Sequence, residues 1–170
     1  MTIQMDALAD LPGAEYFDAL LAREELRRGR THESLAVAML DLDALRAVNK
    51  HHGAAAGTEA LRSCVSTLRA TLRTVDDIAR TGSDEFAVLL HATDARSAAI
   101  WADRFEDELA ASSFELVASP LTCSIGIADA SDDQSLMQAA AKAHRRMKVI
   151  QTMRKLRRMR EGGAEQTGPA

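Results

Sequence analysis

The run LAVAMLDL, Leu35–Leu42, is apolar at almost every position and is followed directly by Asp43. Eight residues are few for a helix, and the run lacks the polar alternation of a strand with one face in water. It therefore predicts a strand that is buried on both faces. We expect this strand to lie at the centre of a sheet.

Apolar periodicity places the other elements around this strand. Two short apolar runs meet at Gly82-Ser83 and predict a hairpin. The order strand, helix, hairpin, helix, strand predicts an α+β fold, with a mostly antiparallel central sheet flanked by helices, of the split βαβ kind. The other predicted elements are strands over 78–80, 85–90 and 121–128, a helical turn from Asp43, and helices over 15–29, after Gly57, from Asp94 and from 135 to about 160.

Length and composition favour one soluble domain. The 170 residues are 46% hydrophobic and 27% charged, and we expect a single domain over 1–160 followed by a disordered tail over 161–170. The first twelve residues lack a basic segment ahead of an apolar block, so we expect no signal peptide and a cytoplasmic protein. Cys64 and Cys123 lie in apolar patterns and are interpreted as free buried thiols.

Three carboxylates are predicted to meet where the central strand ends. If this strand pairs with the hairpin, Asp41 comes close to Asp84 and Glu85 at the turn. Carboxylates so placed repel one another unless a positive charge lies among them. Mg²⁺ accepts hard oxygen ligands and keeps positions open for water and phosphates. Taken alone, the pattern is equally compatible with a solvated, structural turn.

Read together, the motifs resemble those of the GGDEF domain family, the diguanylate cyclases that join two GTP molecules into cyclic di-GMP. IARTGSDEFAVLL is similar to the signature hairpin, LAVAMLDLDALRAVN to the strand upstream of it and LTCSIGIA to the strand downstream, in the family's order from about Asp6 to Lys148. The resemblance implies a palm-like nucleotidyl cyclase fold, Mg²⁺ or Mn²⁺ as the cofactor, and a homodimer when active.

The resemblance also implies roles for individual residues. The implied metal ligands are Asp41, the Leu42 carbonyl and Asp84, and the implied catalytic carboxylates are Asp84 and Glu85. The implied substrate-binding residues are Ala44 and Leu45 through their backbone amides, Asn49 and Thr58 at the base, Ser83 at the turn and Lys148 at a phosphate.

A second match concerns the product. Arg73 and Asp76, in RTVD, stand five residues before the signature, where the family carries its RxxD inhibitory site for cyclic di-GMP. Arginine offers a planar fork to a guanine edge or a phosphate, and aspartate accepts from guanine nitrogens. An ion pair at a helix end is the structural alternative.

Departures from the family pattern cluster around the substrate. Ser83 replaces the second signature glycine, Thr58 an aspartate that contacts guanine, and Ala54 a histidine. Thr152 stands in place of a phosphate-binding arginine, and LADLPGA in place of the N-terminal LTGLxNR element. A hydroxyl cannot accept two hydrogen bonds from the guanine edge as a carboxylate does, so GTP specificity is expected to be weakened.

Three functions fit this pattern. The first is a working diguanylate cyclase, whether slow or of ordinary rate. The second is a degenerate domain that acts as a receptor, binding cyclic di-GMP through Arg73 and Asp76, or binding GTP without turnover. The third is a cyclase of relaxed specificity that uses ATP.

The last predicted helix is strongly basic. His144–Arg160 carries eight lysines and arginines and no acidic residue, with an apolar stripe of Val149, Met153 and Leu156. One interpretation is a helix packed by this stripe, with solvated arginines on its other face. The alternatives are self-association, or a protein or anionic partner such as lipid headgroups or nucleic acid. DNA binding is the rival function for the whole protein, and it predicts salt-dependent retention by DNA.

Overall fold

The computed structural model of this protein describes residues 5–6, 10–112, 120–130 and 134–164. Within these residues the strands are β1 (Met5–Asp6), β2 (Leu11–Pro12), β3 (Leu35–Leu42), β4 (Asp77–Arg80), β5 (Glu85–His91) and β6 (Cys123–Asp129). The helices are α1 (Ala14–Thr31), α2 (Leu45–His52), α3 (Ala54–Thr71), α4 (Ala95–Ala111) and α5 (Leu136–Ala164).

The main sheet is antiparallel and has the strand order β4-β5-β3-β6. β3 pairs with β5 from Leu35 opposite His91 to Asp41 opposite Glu85, and its other edge pairs with β6. All eight residues of β3 are buried, which confirms the prediction of a central strand. A second, two-stranded sheet pairs β1 with β2.

Helices cover both faces of the main sheet because successive side chains of β3 point to opposite faces. Ala38 and Leu40 lie in a core with buried residues of α3 and α4. Val37 and Met39 lie in a core with buried residues of α1 and α5. This arrangement confirms the predicted α+β fold class. The two cysteines are free and buried, also as predicted.

Gly126 in β6 allows α5 to lie directly on the sheet. A Cβ atom at this position would come within 2.0 Å of the Ala143 carbonyl oxygen and 2.3 Å of the Met147 backbone nitrogen. Because the two backbones are this close, the rotation of α5 about its own axis is fixed, with Ala143 and Met147 fully buried. Lys148, the next residue, is thereby positioned near the end of β3.

Two predicted helix boundaries differ from the structure. The helix expected after Gly57 begins at Ala54, and the turn expected from Asp43 is the eight-residue helix α2. Gly53, with a φ of 85°, separates the two helices, and this backbone conformation favours glycine. The β1–β2 pair is not predicted by the sequence because two-residue strands carry no periodic signal.

The last helix corrects two expectations. α5 continues to Ala164, so the tail predicted over 161–170 is wrong for its first four residues, and 165–170 lie outside the described residues. The prediction that the apolar stripe of this helix packs against the domain is also wrong, because Val149, Met153 and Leu156 are 53%, 64% and 57% exposed. Along the described residues, no helix combines the length and apolarity that crossing a membrane requires.

Candidate functional site

The carboxylates of the strand end and the hairpin meet at one corner of the sheet. Asp41 lies directly opposite Glu85 in the β3–β5 register, and the Leu42 amide donates to the Asp84 carbonyl at 2.9 Å. This corner opens into a groove of about 870 Å³ between the hairpin, the start of α2 and α5. The groove is lined by residues 41–47, 82–85, 148, 151, 152, 155 and 158.

The loop of the hairpin is shaped by Arg80, which the sequence analysis missed. Its guanidinium donates to the carbonyls of Gly82 and Ser83 and to the carboxylate of Asp6. The Ser83 hydroxyl donates to Asp84 Oδ1 at 2.7 Å. Ser83 is not among the described residues with a positive φ, so this turn accepts serine in place of glycine without backbone strain.

Lys148 lies between two of the carboxylates. Its Nζ is 2.6 Å from Glu85 Oε1 and 3.4 Å from Asp41 Oδ2. Burial alone lowers the pKa of Lys148, but the hydrogen bond and charge of Glu85, with the charge of Asp41, raise it above its ordinary value. The ammonium therefore compensates part of the negative charge of this corner.

The pKa of Asp41 is nevertheless raised. Burial is the largest cause, since the residue is only 3% exposed, and the charge of Asp84 adds to it, while Lys148 acts in the opposite direction. The attraction of Lys148 thus does not outweigh burial and the charge of Asp84 at the Asp41 carboxyl.

Asp41→Asn is expected to raise the melting temperature at pH 7. Because the pKa of Asp41 is higher in the folded than in the unfolded chain, the folded chain binds this proton more tightly. Ionising Asp41 therefore costs stability as pH rises above the ordinary aspartate pKa of about 3.9. The asparagine variant avoids this cost, so its advantage should shrink towards zero by about pH 3. Thermal unfolding of both proteins at the two pH values measures the difference, and a less stable variant at pH 7 contradicts it.

Asp43, which is buried, and Arg154, which is partly exposed, form a second charge system that the sequence analysis did not identify. The Asp43 carboxylate accepts hydrogen bonds from the hydroxyls of Thr122 and Ser124 and from Arg154 at 3.0 Å. Arg154 also donates to Glu106 on α4 and to a β6 carbonyl. These contacts hold the second half of α5 against the domain. No local pattern signals them, because the partners are far apart in sequence.

Cations of α5 face the turn that follows β3. Ala44, with a φ of 61°, is the N-cap of α2, whose first backbone amides have no partner inside the helix. Lys155 and Arg158 line the groove together with Ala44 and Leu45. Thr152 also lines the groove but carries no charge, and its hydroxyl donates to the Lys148 carbonyl of its own helix. The sequence analysis noted the lost arginine at Thr152 but not these two cations.

Asn49 and Thr58 belong to the neighbouring helices α2 and α3, outside the residues that line the groove. The Asn49 side chain packs on the α3 backbone at Gly57, where a Cβ atom would come within 1.8 Å of Asn49 Oδ1. Asn49 is exposed and Thr58 is partly exposed. The two residues that are expected to contact the nucleotide base thus lie close together across the α2–α3 contact.

The donor chemistry of the corner fits Mg²⁺ or Mn²⁺. Asp41, Asp84 and the Leu42 carbonyl offer hard oxygens, and burial of Asp41 together with the neighbouring charge of Asp84 raises the pKa of Asp41. Across the described residues, no group of three or more acidic, histidine or cysteine side chains is arranged to hold a metal ion by itself. An ion here would therefore take its remaining ligands from water and phosphate oxygens, which is usual for Mg²⁺.

Arg73 and Asp76 lie at the opposite end of β5 from this corner. The Asp76 side chain is 2% exposed and accepts from the backbone amides of Arg73 and His91. The Arg73 guanidinium is 3.4 Å from that carboxylate and also donates to the Thr93 hydroxyl. The ion pair of the structural alternative is therefore present. The Arg73 side chain is still 59% exposed, so a ligand can reach its guanidinium.

The sequence is similar to proteins of one family over most of its length. The family model described as "Diguanylate cyclase, GGDEF domain" matches residues 3–155. Diguanylate cyclase DgcP of Pseudomonas aeruginosa is 37% identical over 124 residues, which cover 72% of this chain and 18% of that protein. Diguanylate cyclase A of Treponema denticola is 29% identical over 147 residues, which cover 81% of this chain and 40% of that protein. The chain thus spans less than half the length of either relative.

Solved structures share the fold. The GGDEF domain of DgcB from Caulobacter crescentus, in complex with c-di-GMP, matches with a TM-score of 0.80 at 20% identity, over 88% of this chain and 90% of that one. The FimX GGDEF domain from Pseudomonas aeruginosa matches with a TM-score of 0.81 at 19% identity, over 89% of this chain and 96% of that one. Diguanylate cyclase SiaD from Pseudomonas aeruginosa, in complex with its activator SiaC, matches with a TM-score of 0.79 at 25% identity. The match covers 88% of this chain and 58% of that one.

Proposed function

Because the chain belongs to the GGDEF domain family of diguanylate cyclases, we propose that it condenses two GTP molecules into cyclic di-GMP in the groove beside Asp41. The observation that carries this proposal is the charge distribution of the groove. Its floor is the carboxylate corner of Asp41, Asp84 and Glu85, and its α5 wall carries Lys155 and Arg158. A nucleotide triphosphate with its divalent ion presents the matching charges to these two sides.

The proposed mechanism assigns a part to each side of the groove. Asp41, Asp84 and the Leu42 carbonyl would hold Mg²⁺, which when bound supplies the charge that activates a hydroxyl and stabilises the leaving oxygen. The cations of α5 and the first amides of α2 bind the phosphates. The 3′-hydroxyl of each nucleotide forms a bond to the α-phosphate of the other, the two bonds to pyrophosphate break, and the Asp84–Glu85 pair of each domain takes up one proton.

Two domains are required for one product molecule. Each domain binds one nucleotide, so the two reacting centres meet only when two copies face each other. We therefore propose a homodimer as the active form. Asn49 would hydrogen-bond the base, and Thr58, which offers only one hydroxyl, admits adenine as well as guanine.

Turnover of labelled nucleotides tests this function. Purified protein with Mg²⁺ and GTP should release pyrophosphate and form cyclic di-GMP, and the chelator EDTA should stop both. Parallel reactions with ATP, and with both nucleotides, measure the base preference. The absence of any product with Mg²⁺ or Mn²⁺ contradicts the proposal.

Lys155→Ala is expected to raise the KM for GTP about three- to tenfold, because a partly solvated cation–phosphate contact is lost. Binding of guanosine, which lacks phosphates, should be unchanged. Arg160→Ala removes the same charge from α5 outside the groove and is the matched control. Equal KM values for the two variants contradict this assignment of Lys155.

A receptor is the second candidate, and the exposed guanidinium of Arg73 is the observation that favours it. In this function cyclic di-GMP binds at the far end of β5 and no product forms at the carboxylate corner. Support for the ligand class comes from the DgcB GGDEF domain, whose structure is a complex with c-di-GMP. Binding of cyclic di-GMP that is lost in Arg73→Ala, together with absent turnover, would select the receptor.

A further inference from the structure

The second half of α5 exposes an apolar face instead of burying it. Four large apolar side chains between 149 and 159 are 53–66% exposed. The spacing of Val149, Met153 and Leu156 places these three on one face of the helix, and Met159 extends the exposed surface by one turn. We call these four residues the α5 stripe. Arg154 points the other way, into the domain, where its ion pairs lie. A stripe of this kind on a folded domain marks a contact surface.

The α5 stripe continues into a groove of about 480 Å³ between α5 and β6. Ile125 and Ile127 of β6 line one side, and Val149 and Ile150 of α5 line the other. The groove is also lined by the basic residues Lys142, Arg145 and Arg146. It therefore combines an apolar concavity, into which side chains of a partner can insert, with positive charge at its border.

The charge of α5 indicates which kind of partner binds the α5 stripe and this groove. From Leu136 to Arg160 the helix has nine lysines and arginines and no acidic residue. Two copies docked through this helix would bring like charges together, which is unfavourable. A lipid surface matches the charge but is flat, and it leaves the concave part of the groove unfilled. An acidic amphipathic helix matches both the charge and the shape.

We propose that the α5 stripe and this groove bind an acidic amphipathic helix of a partner protein. Its apolar side chains contact Val149, Met153 and Leu156, and its carboxylates face the arginines beside them. The surface adjoins the nucleotide groove, because Lys148 and Thr152 directly precede Val149 and Met153 on the same helix. A bound partner thus contacts the turn of α5 that forms a wall of that groove, which places regulation of the groove at this surface.

The test uses the full chain and two labelled synthetic peptides of about 20 residues, a length that forms several helical turns. Both peptides carry leucine at the apolar positions, and they differ in having glutamate or lysine at the flanking positions. We expect the glutamate peptide to bind at micromolar concentration, as measured by fluorescence anisotropy, and the lysine peptide to bind at least tenfold more weakly. The double variant Met153→Ser, Leu156→Ser should weaken binding of the glutamate peptide at least tenfold without changing the charge.

Ile100→Ser is the matched control, since Ile100 on α4 is also a solvent-exposed apolar residue, at 65%. It should change the Kd less than twofold. The proposal is overturned if the glutamate peptide does not bind, if both peptides bind equally, or if the control weakens binding as much as the double variant. It is also overturned if the double variant instead abolishes binding to phosphatidylglycerol vesicles, or a dimer seen by sedimentation, while peptide binding is absent.

Discussion

Asp84→Asn should reduce cyclic di-GMP formation by more than about 100-fold and leave the fold intact, because it removes one anionic oxygen donor from the corner. The Asp84 side chain is partly exposed, and the hydrogen bond described for its carboxylate comes from the neighbouring Ser83 hydroxyl, which an amide oxygen can still accept. The melting temperature should therefore change little. Chromatography of the reaction products, with circular dichroism of both proteins, measures the two effects.

Asp103→Asn provides the control for this substitution. Asp103 is an exposed carboxylate on α4, away from the groove, so its loss changes the net charge equally and should leave the rate unchanged. If Asp84→Asn keeps more than a tenth of the wild-type rate, the carboxylate corner is not the reacting centre. A similar loss in both variants would point to a general charge effect.

Gly126→Ala should have the largest effect on stability, lowering the free energy of unfolding by about 3 kcal/mol. The added Cβ atom would overlap backbone atoms of Ala143 and Met147, which cannot rotate away as a side chain can. α5 must then move off the sheet and carry Lys148 away from Asp41 and Glu85. Urea unfolding measures the stability, and the KM for GTP should rise in the same variant.

Gly29→Ala is the matched glycine substitution. Gly29 lies within α1, and nothing comes within 4 Å of a Cβ atom added there. Alanine is the better helix former, so this variant should gain about 0.5–1 kcal/mol. Equal stability of the two variants would show that α5 can separate from β6 without cost, and Lys148 would then not be fixed by this contact.

The sequence was sufficient for the parts of the site that depend on neighbours along the chain. The continuous apolar run of β3 predicts its burial on both faces, and the strand order brings Asp41 beside Glu85 once the hairpin pairs with it. The helix predicted from Asp94 is α4, and the Asp94 carboxylate caps it by accepting from the Ser97 amide. Each of these features is set by a period or a spacing of a few residues.

The missed parts depend on contacts between distant segments. Asp43 follows Asp41 by only two residues, but its carboxylate accepts hydrogen bonds from Thr122, Ser124 and Arg154. Such partners become visible only when β6 and α5 are packed. The outward-facing stripe of α5 was misassigned for a related reason. Helical periodicity shows that apolar residues share a face, but it does not show which face meets the sheet.

The position of the bound ion and nucleotide decides whether the carboxylate corner is their shared site. In NMR spectra of the protein with a non-hydrolysable GTP analogue, trace Mn²⁺ should broaden the backbone amide signals of Leu42 and Asp84 first. The amide signals of Arg73 and His91 should keep their intensity, because β5 separates them from the corner by about 20 Å. Broadening that begins at Arg73, or that does not depend on the nucleotide, would contradict a shared site for ion and nucleotide at the carboxylate corner.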